Sequence, residues 1–92
     1  MPTFRSTPVD AVIDVRTKVE FWLGHLPGAR CAPVDTLPEG LDTLGLPRDA
    51  RILVYCASGG RSAMARQILE AAGYTQVADG GGYADAKAEY AE

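Results

Sequence analysis

The chain has 92 residues, of which 47% are hydrophobic, which suits one globular domain with a modest core and is too short for two. Its 9 basic and 12 acidic side chains give a net charge of −3, which argues against a nucleic-acid or membrane-surface binder. No apolar run is long enough to span a bilayer, and the amino terminus lacks the apolar core of a secretory signal, so we expect a cytoplasmic protein.

The first predicted elements are a strand and a short helix. Residues 1–8 contain two prolines and little periodicity, which indicates an irregular lead-in. Ala11–Val15 is mostly apolar and predicts a buried strand. Thr17 and Glu20 stand at the spacing of a capping box, which predicts a short helix over Lys18–Leu23.

The remaining segments alternate between strand and helix patterns. In chain order they are a loop at His25–Gly28, a short strand at Ala29–Ala32, a short helix at Asp35–Gly45, a buried strand at Ile52–Tyr55, a helix from Gly60 to Ala72, a strand at Thr75–Ala78, a glycine loop at Gly80–Gly82 and a closing helix at Tyr83–Tyr90. Strands that alternate with helices predict an α/β domain with a parallel or mostly parallel sheet.

Cys56 stands between the Ile52–Tyr55 strand and the helix that follows, where parallel α/β folds bind ligands. The residues that separate it from Arg61 are Ala57, Ser58, Gly59 and Gly60. So tight a turn directs backbone N–H groups inward and points the helix amino terminus at the sulfur. These groups and the Arg61 charge favour a thiolate, so we expect the pKa of Cys56 to fall below roughly 8.5. The pattern predicts a nucleophile, whereas an isolated cysteine at a strand end is usually a small core residue.

Asp14 lies near the end of the first buried strand and Arg16 follows that strand, close to the expected position of the Cys56 loop. A charge-assisted hydrogen bond from Arg61 to Asp14 would brace that loop, and Arg16 would help to attract an anionic substrate. The alternative is that both are ordinary charges of a solvated turn.

The only histidine and the second cysteine are expected to be structural. His25 lies in a turn, where a ring nitrogen often bonds the backbone; the alternative is a base for Cys56. Cys31 lies in a predicted strand as an inert thiol; the alternative is a resolving thiol. Two cysteines without a C-x-x-C pair or a histidine at metal spacing exclude a disulfide framework, and we expect no metal and no cofactor.

Four stretches in the same order resemble the rhodanese family of single-domain sulfurtransferases. They are VIDVR (Val12–Arg16), EFWLGHLPGA (Glu20–Ala29), YCASGGRS (Tyr55–Ser62) and GGGY (Gly80–Tyr83). The resemblance extends from about Val9 to Tyr83. It implies a three-layer α/β fold with a mostly parallel sheet of four to five strands and helices on both faces. Many relatives carry a tryptophan after the last glycines, and Asp85–Lys87 stands there instead.

The resemblance also implies a persulfide cycle at Cys56. The thiolate would take a sulfane sulfur from a donor such as thiosulfate, and a thiophilic acceptor, either cyanide or a cellular thiol, would remove it. We expect a monomer with no nucleic-acid or membrane partner. Two other functions stay open: a carrier that holds persulfide for a partner protein, and a non-catalytic regulatory domain, against which the intact Cys56 and Arg61 argue.

The length of the loop argues against a phosphatase. Cysteine phosphatases and arsenate reductases use a C-x5-R loop, since a tetrahedral oxyanion must be surrounded by donors. This chain has C-x4-R between Cys56 and Arg61, which fits a single sulfur better.

Overall fold

In the computed structural model, which describes residues 1–92, the chain forms seven strands and three α-helices. The strands are β1 (Thr3–Phe4), β2 (Thr7–Pro8), β3 (Ala11–Asp14), β4 (Arg30–Cys31), β5 (Arg51–Cys56), β6 (Gln76–Gly82) and β7 (Tyr90–Ala91). The helices are α1 (Lys18–Trp22), α2 (Gly60–Ala71) and α3 (Tyr83–Ala88), and two 3-10 segments, Val34–Thr36 and Glu39–Leu44, lie between β4 and β5. None of the helices has the length and apolar character needed to cross a membrane.

The central sheet is parallel and has the strand order β4-β3-β5-β6. Its two middle strands alternate their buried side chains between the two faces. Ile13 and Val54 pack in the layer that contains α2, whereas Val12 and Leu53 pack in the layer that contains α3. Helices cover both faces, so the expected three-layer α/β fold is confirmed with a four-stranded sheet.

Residues 1–8 are not irregular, as the sequence predicts, but form most of a small antiparallel sheet. Its strand order is β2-β1-β7. Arg5 and Ser6 both have positive φ, 50° and 64°, which gives the two-residue hairpin turn its geometry. Neither is the glycine or asparagine that usually marks this turn, and β7 lies at the other end of the chain. The local sequence therefore does not predict this sheet.

The predicted helix over Asp35–Gly45 forms two 3-10 segments instead. Leu37 separates them in an extended conformation, with φ −82° and ψ 150°. The ring of Pro38 disfavours helical geometry in the residue before it, so a continuous helix is interrupted there. Leu41 is still buried in the core, and Gly45 ends the second segment with a φ of 61°. The leucine spacing thus correctly predicts a segment that packs on the core, but the helical conformation predicted for its backbone is wrong.

The glycines expected in a loop at Gly80–Gly82 belong to β6. The pairing of β5 with β6 shifts between Val54 and Cys56, so β6 contains one extra residue opposite that step. A Cβ on Gly80 would lie 3.0 Å from a Leu53 methyl carbon and 3.2 Å from the Val54 carbonyl oxygen. Close packing against β5 and α3 therefore favours glycine at position 80, whereas Gly81 has a φ of 74°. The closing helix is also shorter than predicted, since α3 ends at Ala88.

Candidate active site

Cys56 is the last residue of β5, and its side chain lies in the layer covered by α2. The residue is fully buried, and its Sγ accepts hydrogen bonds from the backbone N–H groups of Gly59 at 3.0 Å and Ser62 at 3.4 Å. Gly59 has a φ of 106°, which only glycine adopts without strain, and this turn brings its N–H towards the sulfur. Backbone N–H groups therefore point at the sulfur, as the sequence predicts.

Two opposing effects act on the pKa of the Cys56 thiol. Burial raises it, whereas the Ser62 hydroxyl and the backbone N–H groups of Ser62, Gly59 and Ser58 lower it, and the net result is a pKa below the ordinary value. The Ser62 hydroxyl also lies 3.0 Å from the Gly59 carbonyl oxygen, to which it can donate instead. The backbone N–H groups are consequently the donors that persist whichever way the hydroxyl turns.

The end of β6 supports the Cys56 loop from the other side. A Cβ on Gly82 would lie 2.6 Å from the Ala57 carbonyl oxygen, closer than any side chain can approach. The Gly81 Cα lies 3.9 Å from the Cβ position of Gly59, which is an ordinary van der Waals contact between the loop and β6. The loop thus packs directly on the backbone of β6, which gives the GGGY stretch a physical role in the site.

We expect Gly82→Ala to push the Ala57 peptide away and to distort the loop. Forcing a methyl group into a packed site costs about 1–3 kcal/mol of unfolding free energy. Because the N–H donors would move with the loop, the pKa of Cys56 should rise. Urea unfolding and a titration of thiolate ultraviolet absorbance measure the two effects.

Gly60→Ala is the matched control for that variant. No atom lies within 4 Å of the position of its Cβ, and Gly60 is the first residue of α2. Alanine there should be neutral or stabilise by about 0.4–1 kcal/mol. Equal stability of the two variants would contradict the close contact between the loop and β6.

Arg61 contacts Glu20 and not Asp14, so the predicted bracing bond is wrong. Its two terminal nitrogens donate to the two Glu20 carboxylate oxygens at 2.7 and 2.9 Å. The same carboxylate accepts the Thr17 N–H at 3.0 Å, which confirms the predicted capping box. Arg61 first, and Thr17 second, lower the pKa of Glu20 to about 2. The ion pair joins the start of α2 to the start of α1.

Asp14 instead pairs with Arg16, and both are buried. The Asp14 carboxylate accepts from the Arg16 backbone N–H at 2.9 Å and from a terminal nitrogen of its side chain at 2.6 Å. That nitrogen also donates to the Gly24 carbonyl oxygen, and the guanidinium lies 4.8 Å from the centre of the Tyr83 ring. Arg16 is only 6% exposed, so it is not placed to attract an anionic substrate. The pair holds the turn after α1 against the sheet.

His25 and Cys31 do not join the site. His25 is exposed, its Nδ1 lies 2.8 Å from the Phe21 carbonyl oxygen, and its ring stacks on that of Phe21. Cys31 pairs in register with Asp14, and Asp14 pairs with Tyr55, which places Cys31 two strands from β5 on the face opposite Cys56. Two strand spacings amount to about 9.6 Å, beyond the reach of a disulfide. Burial also raises the pKa of the Cys31 thiol.

Two residues of the site carried little signal in the sequence. The spacing of Thr17 and Glu20 predicts a capping role for Glu20, and nothing local indicates that Glu20 also binds Arg61. Ser62 follows the loop and is fully buried beside Cys56, although serine in a helix is usually taken for a surface residue. Their roles depend on contacts across the fold.

No group of three or more histidine, cysteine or acidic side chains is arranged to hold a metal ion. The largest surface cavity, about 560 Å³, is lined by residues such as Asp10, Pro47 and Arg51, which stand near the opposite ends of the strands from Cys56.

A family model described as the Rhodanese-like domain matches residues 4–89. The chain belongs to the rhodanese family. This rhodanese-like domain is 35% identical over 83 residues to the thiosulfate sulfurtransferase PspE of Escherichia coli, with 87% of this chain and 80% of PspE covered. It is 37% identical over 65 residues to the probable adenylyltransferase/sulfurtransferase MoeZ of Mycobacterium tuberculosis, with 71% of this chain but 17% of MoeZ covered.

The fold of this rhodanese-like domain also matches solved structures. A rhodanese with anions from E. coli has a TM-score of 0.80 and 30% identity, with 89% of this chain and 96% of that chain covered. The resemblance seen in the sequence is confirmed, and its named relatives support a sulfurtransferase role.

Proposed function

We propose that the protein transfers a sulfane sulfur from a donor such as thiosulfate to a thiophilic acceptor through a persulfide on Cys56. The observation that carries this proposal is the buried Cys56 Sγ that accepts the N–H groups of Gly59 and Ser62. These groups favour a thiolate, and only the thiolate attacks sulfur. They are already oriented in the folded loop, so stabilising the charge requires no rearrangement at the moment of reaction.

In the first half of the cycle, the Cys56 thiolate attacks the outer sulfur of thiosulfate. One S–S bond forms on Cys56, the S–S bond of thiosulfate breaks, and sulfite leaves with the bonding electron pair. The thiolate and thiosulfate together carry three negative charges, as do the persulfide anion and sulfite, so no proton or oxidant is needed.

In the second half, the acceptor attacks the outer sulfur of the persulfide. With cyanide, a C–S bond forms, the S–S bond breaks and the Cys56 thiolate is regenerated with thiocyanate as product. The persulfide extends the side chain by about 2 Å, so the amides of the Cys56 loop remain near the charge. We propose a cytoplasmic monomer.

Intact-protein mass spectrometry after thiosulfate treatment tests this proposal. We expect the gain of one sulfur atom and its loss on addition of cyanide, with one thiocyanate formed for each sulfur lost. Treatment with sulfite in place of thiosulfate is the control, because sulfite has no sulfane sulfur to give. An unchanged mass after thiosulfate would contradict the proposal.

A persulfide carrier that serves a partner protein is the second candidate. The match to MoeZ favours it, because similarity to this chain there occupies only 17% of a longer protein. Steady-state thiocyanate production separates the two functions. Slow turnover with cyanide, together with rapid loss of the sulfur to a protein thiol, would favour the carrier.

A further inference from the structure

Arg61 is the only cationic side chain in the loop from Ala57 to Arg61. Both of its terminal nitrogens are taken by the Glu20 carboxylate. Arg61 also interacts electrostatically with the Cys56 sulfur, whose negative charge raises the pKa of Arg61 in addition to the larger effect of Glu20. The positive charge of the loop is thus neutralised by a residue on another helix.

Arg16 also interacts with this ion pair, and it is itself paired. Arg16, two residues after the end of β3, interacts electrostatically with Glu20 and Arg61 but is bound to Asp14. Thr17 contributes only neutral donors to Glu20. No charged side chain donates a hydrogen bond to the Cys56 sulfur, whose donors are backbone N–H groups and the Ser62 hydroxyl. Backbone amides, the Ser62 hydroxyl and a cation paired with Glu20 are therefore the groups that act on the sulfur.

We propose that Glu20 determines which sulfur donors the site prefers, because it cancels the Arg61 charge and so disfavours a dianionic donor relative to a monoanionic one. This inference rests on the proposed function and names its donor class. Thiosulfate carries two negative charges, whereas thiosulfonates and thiol persulfides carry one on the reacting group. The geometry assigns Glu20 as a specificity-determining residue that never touches the reacting sulfur.

Thiosulfate and methanethiosulfonate form a matched pair of donors for the test. They differ by one charged oxygen replaced with a methyl group, and they leave as sulfite and methanesulfinate. Reaction of the Cys56 thiolate with methanethiosulfonate balances in the same way, since two negative charges stand on each side. The quantity to measure is kcat/KM for thiosulfate divided by kcat/KM for methanethiosulfonate, at low salt and at about 1 M salt, where charge effects are screened within about 3 Å.

Glu20→Gln should raise this ratio by a factor on the order of two to ten, as one unscreened surface charge would. Glutamine also completes a capping box, so α1 is expected to stay folded. The pKa of Cys56 should fall, because the freed Arg61 charge stabilises the thiolate. High salt should remove most of the gain, which a purely structural role of Glu20 would not predict.

Arg61→Gln should have the opposite effect, since it leaves the Glu20 charge unopposed. The ratio should fall and the pKa of Cys56 should rise. The double variant Glu20→Gln/Arg61→Gln should return both quantities close to those of the parent protein. If Arg61 instead bound the donor directly, the double variant would be as impaired as Arg61→Gln alone, and that result would overturn the inference.

Glu70→Gln is the control, because Glu70 forms an exposed ion pair with Arg66 farther along α2. It should leave the donor ratio unchanged. An unchanged ratio in Glu20→Gln, with persulfide still formed by both donors, would refute the role of Glu20 and leave the proposed function intact. If no variant gained a sulfur from either donor, the proposed function and this inference would fail together.

Discussion

Cys56→Ser is expected to lose sulfur transfer completely while the protein remains folded. A serine hydroxyl is almost entirely protonated near neutral pH and cannot hold a persulfide, so neither half of the cycle can run. The oxygen can accept the same N–H groups of Gly59 and Ser62, so the loop should keep its shape. Thiocyanate production should fall to the background rate, and thiosulfate should leave the protein mass unchanged.

Cys31→Ser is the matched control for that experiment. Cys31 lies on the face of the sheet opposite Cys56, and its sulfur contacts the Arg16 carbonyl oxygen at 3.6 Å. This variant should still gain one sulfur atom and retain most of its turnover. Residual sulfur transfer by Cys56→Ser would show that Cys56 is not required to carry the sulfur. Complete loss of transfer in a folded Cys31→Ser protein would show that Cys31 takes part in the reaction.

The Cys56 loop was predictable because its geometry is encoded over a few neighbouring residues. A buried strand, two glycines and the start of a helix are enough to direct backbone N–H groups at a sulfur. The capping box of α1 was predictable for the same reason, since Thr17 and Glu20 are three residues apart. The structure contains both features as the sequence indicated.

The ion pairs could not be predicted from local patterns. Four charged residues approach the same end of the sheet. Two of them are acidic, Asp14 and Glu20, and two are arginines, Arg16 and Arg61. Asp14 faces the layer opposite α2, where its carboxylate already accepts a hydrogen bond from the Arg16 side chain. Arg61 therefore finds its partner on α1. Which carboxylate Arg61 binds depends on the face of β3 that carries Asp14, and a local motif does not predict that face.

Asp14→Asn is expected to cause the largest loss of stability among these variants. Asp14 is fully buried, and the Arg16 side chain that it neutralises is only 8% exposed. Asparagine would keep the shape but leave a guanidinium inside the protein without a counter-charge. Breaking one side of a buried ion pair costs about 3–5 kcal/mol of unfolding free energy. Urea unfolding measures this loss directly.

Asp10→Asn provides the matched control, because Asp10 forms an exposed pair with Arg51 at 3.5 Å, and exposed pairs contribute little. The double variant Asp14→Asn/Arg16→Met separates the uncompensated charge from lost hydrogen bonds. Removing the guanidinium should recover part of the stability that Asp14→Asn loses, since no bare charge is then buried, although the contact with the Gly24 carbonyl oxygen would be lost too. A loss in Asp14→Asn no larger than that in Asp10→Asn would show that Arg16 reaches water and that the turn after α1 is not held by this pair.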